Sequence, residues 1–166
     1  EELEGSGWHE EGSQLILFSP DVIRGPAEGE RLKFASWRSV GNPALVIQAT
    51  GENEATGPTS ITVVAPYSLR GIYDKEYLVT ARSPFGLLIR EWVKEGDGVV
   101  LDAPAIEETV PGQERFVFQR WVGQEGLISP RITGVATAPI AISAVYTRQY
   151  MVKVESPHGA SGGGWH

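Results

Sequence analysis

The chain has 166 residues, of which 41 % are hydrophobic, and its 14 basic and 21 acidic side chains give a formal charge of −7. It is expected to fold, and with no concentrated basic stripe nucleic acid is excluded as an expected partner. Cysteine is absent, which rules out a disulfide framework and a thiolate metal site, and no apolar run approaches the roughly 18–20 residues of a membrane-spanning helix. The 20 Gly and 11 Pro fall between short apolar runs, a pattern of many turns between strands, so the expected fold class is all-β.

In chain order, Trp8 and Gly12 lie in a turn that leads into a first strand at residues 14–18, which Pro20 ends. A second strand follows, in which Leu32, Phe34 and Ser36 alternate with Lys33, Ala35 and Trp37. Residues 44–49 and 60–65 are β-prone and flank the polar connector 51–57, and they read as a hairpin. Residues 67–73 alternate again, and only residues 74–76 separate them from Tyr77, Val79 and Ala81, the apolar face of the next strand. Ser83-Pro84-Phe85-Gly86 then turns the chain out of the sheet, since proline lacks a ladder donor and glycine accepts positive φ. Trp92 and Gly96 lead to a strand at 99–101, Phe116 and Phe118 alternate with Val117 and Gln119, and Ile140, Ile142, Ala144 and Tyr146 form one face of a later strand. By strict alternation Trp121 falls opposite Phe118, unless a bulge at the strand end turns it inward. The only acidic stretch with any helical character, 106–110, is short and meets Pro111. At the end of the chain, Tyr150, Val152 and Val154 form an apolar row ahead of Ser156-Pro157-His158-Gly159 and the Gly162–Gly164 run.

These elements repeat. Trp8, Gly12, Pro20, Glu30, Arg31, Phe34 and Trp37 recur 84 positions later as Trp92, Gly96, Pro104, Glu114, Arg115, Phe118 and Trp121. Pro66, Tyr73, Tyr77, Val79, Ser83, Pro84, Gly86 and Trp92 recur 73 positions later as Pro139, Tyr146, Tyr150, Val152, Ser156, Pro157, Gly159 and Trp165. The two offsets differ by 11, which places an insertion in the first copy, near 42–58. The expected architecture is two tandem small antiparallel β-sandwich-like or barrel-like repeats. The first spans 1–75, and the second spans 76–166, including a C-terminal strand and Gly-rich turn of a further repeat. Calling the strands at 77–83, 99–101, 116–121 and 140–146 a, b, c and d, the structural unit runs either a-b-c-d or b-c-d-a. In the first of these frames the chain begins without its own strand a and reads as a window cut from a longer array.

The recurring Tyr-X-Val, Ser-Pro-X-Gly, Gly-Trp turn and Phe-X-X-Trp strand resemble the divergent internalin-type B-repeat family and archaeal and bacterial surface-layer stalk repeats. Phe34 with Trp37 and Phe118 with Trp121 carry the Phe-X-X-Trp motif. The resemblance implies an extracellular or cell-surface location and a stalk, spacer, adhesion or surface-layer role, with neighbouring repeats as partners and no catalytic residues or cofactors.

For catalytic chemistry the residues offer little. His9 and His166 occupy equivalent Gly-Trp-His turns in different units and His158 a Ser-Pro-His-Gly turn, so they read as surface turn histidines. Ser161 with the glycines that follow lacks the lysine and helix of a phosphate loop, and no Gly-X-Ser-X-Gly elbow occurs. Glu10-Glu11, Glu52 with Glu54, and Glu107-Glu108 lack the dense alternating spacing of a calcium loop. Trp8, Phe34, Trp37, Trp92, Phe118, Trp121 and Trp165 are the candidate core or turn-plug residues, with display of Trp8, Trp92 and Trp165 for glycan stacking as the competing reading. Tyr150, Val152 and Val154 are the candidate face of a donated strand, through which copies of the chain would associate; a carbohydrate- or protein-binding module is the other alternative.

Overall fold

The computed structural model describes residues 6–41, 46–48 and 59–166. The chain is all-β: thirteen strands and no helix occur among the described residues. It divides into two compact units, Glu1–Glu76 and Tyr77–His166.

The first unit contains β1 (Gln14–Leu17), β2 (Val22–Arg24), β3 (Glu30–Ser39), β4 (Val46–Gln48), β5 (Thr59–Thr62) and the first half of β6 (Leu69–Ser83). β1 pairs antiparallel with β5, β3 lies beside β2 and β6, and β4 pairs with β3. Among the described residues, the two arms of the hairpin expected from residues 44–49 and 60–65 pair with β3 and β1 and not with each other. Strand prediction located the arms, but partner choice depends on which ladders are open nearby, and local sequence does not encode that. The polar connector 51–57 lies outside the described residues, as does most of the 42–58 insertion.

The second unit contains the rest of β6, then β7 (Gly86–Lys94), β8 (Gly98–Asp102), β9 (Ile106–Val110), β10 (Glu114–Val122), β11 (Arg131–Val135), β12 (Ile140–Val152) and β13 (Gly164–Trp165). β8 and β11 form a small antiparallel sheet, and the larger sheet runs β6-β12-β10-β9, with β7 on β6 and β13 on β12. One core joins the two sheets: Tyr77, Val79 and Ala81 from β6, Val99 and Leu101 from β8, Phe118 and Trp121 from β10, and Ile142 and Ala144 from β12. β8 shows the pattern that drives this packing, since Val99 and Leu101 are buried while Gly98, Val100 and Asp102 between and beside them are exposed.

The register inside one unit is carried onto the other by the offsets read from the sequence. Leu15↔Ile61 and Leu17↔Thr59 in β1·β5 become Val99↔Gly134 and Leu101↔Ile132 in β8·β11. Val22↔Lys33 and Arg24↔Arg31 in β2·β3 become Ile106↔Val117 and Glu108↔Arg115 in β9·β10. The closing hydrogen bond from Gly12 N to Val63 O, 2.7 Å, has its counterpart from Gly96 N to Ala136 O, 2.9 Å.

Two local expectations change. Antiparallel pairing does not hold throughout, because Val79–Arg82 of β6 lie parallel to Ile140–Ser143 of β12. The intervening strands carry the chain back to the side from which it started, so strands a and d of this unit point the same way. Residues 74–76 form no joint either: strands d and a merge into the unbroken β6, and β12 repeats the fusion. Strands β2, β7, β9 and β11 are not anticipated by the sequence reading, and the acidic stretch 106–110 is a strand.

Candidate functional site

The second unit is built around strand a. Tyr77, Val79 and Ala81 point into the core in alternation along β6, and the Tyr77 hydroxyl donates to Glu95 Oε1 at 2.7 Å. Beside them the parallel ladder sets Val79 opposite Ile140 and Ala81 opposite Ile142. Across the core, Phe118 meets Trp121 at 5.6 Å between ring centroids and Tyr146 at 5.7 Å, both edge to face. Gln119 is an extra residue in the β10·β12 ladder, since Phe118 opposes Tyr146 and Arg120 opposes Val145. This bulge puts Trp121 on the same face as Phe118. The buried indole N–H donates to Ser129 O at 3.0 Å, which removes the desolvation cost of an unpaired donor.

The corresponding cluster in the first unit is Phe34 with Trp37 at 5.6 Å and with Tyr73 at 5.5 Å. Its ring spacings match, but Trp37 is only half-buried where Trp121 is enclosed. Trp92 on β7 and Trp165 on β13 are also half-buried, and the Arg115 guanidinium lies 4.3 Å from the centroid of Trp165. Trp8 is fully exposed. The structure thus places Phe118 and Trp121 in the core of the second unit and sets Phe34 against Trp37 in the first, while of the three turn tryptophans Trp8 is exposed and Trp92 and Trp165 are half-buried.

A residue not singled out from sequence is Phe85, the variable position of Ser-Pro-Phe-Gly. Its ring packs edge to face on Phe116 at 5.1 Å and Tyr146 at 5.3 Å. Its counterpart 73 positions later is His158, so a comparison based on shared residues passes over it. The Tyr146 hydroxyl donates to Pro104 O at 2.8 Å, and burial, aided by the negative charge of Glu107, raises its pKa.

Charged residues close the ends of both long ladders in matching places. Glu30 with Lys75, 3.3 Å, corresponds to Glu114 with Arg148; Arg31 with Glu76, 2.6 Å, corresponds to Arg115 with Gln149, 2.9 Å. Arg148 donates twice to Glu114, from Nε at 2.9 Å and from an Nη at 2.8 Å, a bidentate pair. Those hydrogen bonds hold the Glu114 carboxyl below its ordinary pKa against the opposing effect of desolvation, and the Thr109 hydroxyl adds to the lowering. A depressed folded-state pKa contributes stability that is present above the unfolded carboxylate value and lost as pH falls through the lowered Glu114 value. In an NMR titration of side-chain carboxyl carbons, Arg148→Gln should move the Glu114 midpoint upward, toward the ordinary carboxylate range. An unchanged midpoint would show that Arg148 does not set it.

Among the described residues no group of three or more His, Asp or Glu is placed to hold a metal. His9, His158 and His166 are all exposed; His158 lies in a turn, and His166 follows β13. Tyr150, Val152 and Val154 lie near the end of the chain, and all three are exposed. Tyr150 exchanges backbone hydrogen bonds with His166, at 2.7 and 3.0 Å, and Val152 pairs with Gly164.

No family model, curated protein or solved structure matches this chain. The resemblance to internalin-type and surface-layer repeats accordingly rests on the residues that carry it.

Proposed function

We propose that this chain is a structural segment of a larger extracellular or cell-surface protein, a stalk, spacer or surface-layer element made of successive β units, with no catalytic role. The observation that carries this reading is the recurrence of two antiparallel ladders, β1·β5 and β2·β3 in one unit and β8·β11 and β9·β10 in the other, in the same register. Successive units that recur in sequence and pairing suit a stalk or spacer, in which each unit adds length without adding chemistry. The charged and aromatic side chains support the same reading, because they serve the ladders: Glu114 with Arg148 fastens β10 to β12, and Phe85 packs on Phe116 and on Tyr146.

The test is location together with binding. Brief protease treatment of intact source cells should release peptides of this chain, and its recovery only from the cytosol would overturn the proposal. A glycan- or protein-binding module is the second reading, favoured by the full exposure of Trp8 and the exposure of Phe18. Retention on an insoluble polysaccharide that Trp8→Ala abolishes without changing the melting temperature would replace the spacer reading with that one.

A further inference from the structure

We infer that the exposed face of the β1·β5 ladder in the first unit is a binding strip for an uncharged, extended polysaccharide. The inference rests on the second reading above, that of a binding module, and names its site and its ligand.

The ladder has two unlike faces. Leu15, Leu17 and Ile61 are half-buried, whereas Gln14, Ile16, Phe18, Ser60, Thr62 and Val64, which alternate with them, are exposed. The register sets Ile16 beside Ser60 and Gln14 beside Thr62, and the bond from Gly12 N to Val63 O carries the pairing on toward Val64. From Gly12 to Phe18 the strip is about 20 Å long at the rise of a β-strand. Phe18, Ile16 and Val64 are 75 %, 51 % and 64 % exposed, and the exposed row contains no charged residue.

The second unit shows that this face is not a seam between successive units. The counterparts of Gln14, Ile16 and Phe18, 84 positions later, are Gly98, Val100 and Asp102. Asp102 pairs with Arg131 at 3.1 Å, and both side chains are more than half exposed. A surface covered by a neighbouring unit would be apolar in both copies, because the desolvation cost of an ion pair can exceed its Coulombic gain. The ring at Phe18 is therefore particular to the first unit and serves something other than stacking.

The side chains select the ligand. A phenyl ring and two aliphatic groups offer an apolar surface to the C–H faces of sugar rings, while Gln14, Ser60 and Thr62 supply donors and acceptors for sugar hydroxyls. A polyanion would find no cation on the strip and would approach a chain of formal charge −7. A stable protein interface takes about 20–30 residues a side, far more than this two-stranded ladder presents, whereas one polysaccharide chain needs only its length.

Amide chemical shifts of the full chain, recorded with added cellohexaose or chitohexaose, test the strip directly. Signals of Ile16, Ser60 and Thr62 should move, and those of Val100 and Thr133, at the matching places in the second unit, should stay. On insoluble cellulose or chitin, Phe18→Ala should weaken retention about three- to tenfold at an unchanged melting temperature, and Phe18→Trp should preserve it. Added salt should leave wild-type retention as it is, since no ion pair forms. Retention lost in Trp8→Ala but kept in Phe18→Ala would overturn the strip and leave the binding-module reading standing. A wild type that neither polymer retains and neither oligosaccharide shifts would overturn the strip and leave only the protein-binding form of that reading. A lower melting temperature for Phe18→Ala would mean that the ring packs within its own chain, which also overturns the inference.

Discussion

Trp121→Ala is expected to destabilise the second unit by about 3–5 kcal/mol, the usual range for deleting a large aromatic side chain from a core. The indole is 2 % exposed, contacts Phe118 edge to face, and has its N–H bonded to Ser129 O. Truncation therefore leaves a cavity and removes the donor that satisfies that carbonyl. The loss should appear as a lower urea midpoint for the amide signals of Val79 and Ile142, which belong to the same core. Trp8→Ala is the internal control, because a fully exposed ring should change stability by no more than about 0.5 kcal/mol. If the two substitutions cost the same, the difference in burial is not what distinguishes these tryptophans.

The second large effect is expected at Gly123, just after β10. Its φ is +106°, and a Cβ there would fall 2.5 Å from Ala141 O and 3.3 Å from Ile142 Cα, both backbone atoms of β12. Backbone cannot rotate away as a side-chain end can, so Gly123→Ala combines conformational strain with displacement of a core strand. A loss of at least about 2 kcal/mol in the second unit should follow. Gly126 separates the two causes: its φ is +78° but a Cβ there would meet nothing within 4 Å, so Gly126→Ala should lose only about 1 kcal/mol. Equal losses at the two glycines would mean that conformation alone, without steric contact, explains both.

The charged ladder ends contribute in a different way from the core. Glu30 with Lys75 and Glu114 with Arg148 are exposed or partly exposed pairs, whose net contribution to stability is small. Their recurrence at matching positions instead fixes which residue of one long strand lies beside which residue of the other, and a one-residue slip would exchange core and solvent faces.

Much of the fold was legible because period-2 patterns report burial directly. The alternations of Tyr77-Val79-Ala81 and Ile140-Ile142-Ala144 name residues of the core or packed against it without reference to anything distant. The short strands β2, β9 and β11 were not legible, since three to five residues with mostly exposed side chains leave little periodic signal. β7 escaped for a related reason: Leu88 and Ile89 are adjacent partly buried residues, so its burial does not alternate. The candidate site divides in the same way. Equivalence of Tyr150, Val152 and Val154 with Tyr77, Val79 and Ala81 is a property of the amino-acid sequence alone. That one row is buried and the other exposed, that strands a and d run parallel, and that Gln119 turns Trp121 inward are tertiary facts. Each depends on which backbone ladder is available when the chain returns, and hydrogen-bonding groups on the main chain are the same for every residue, so side-chain pattern specifies the faces of a strand but leaves the choice of its neighbours to the assembled fold.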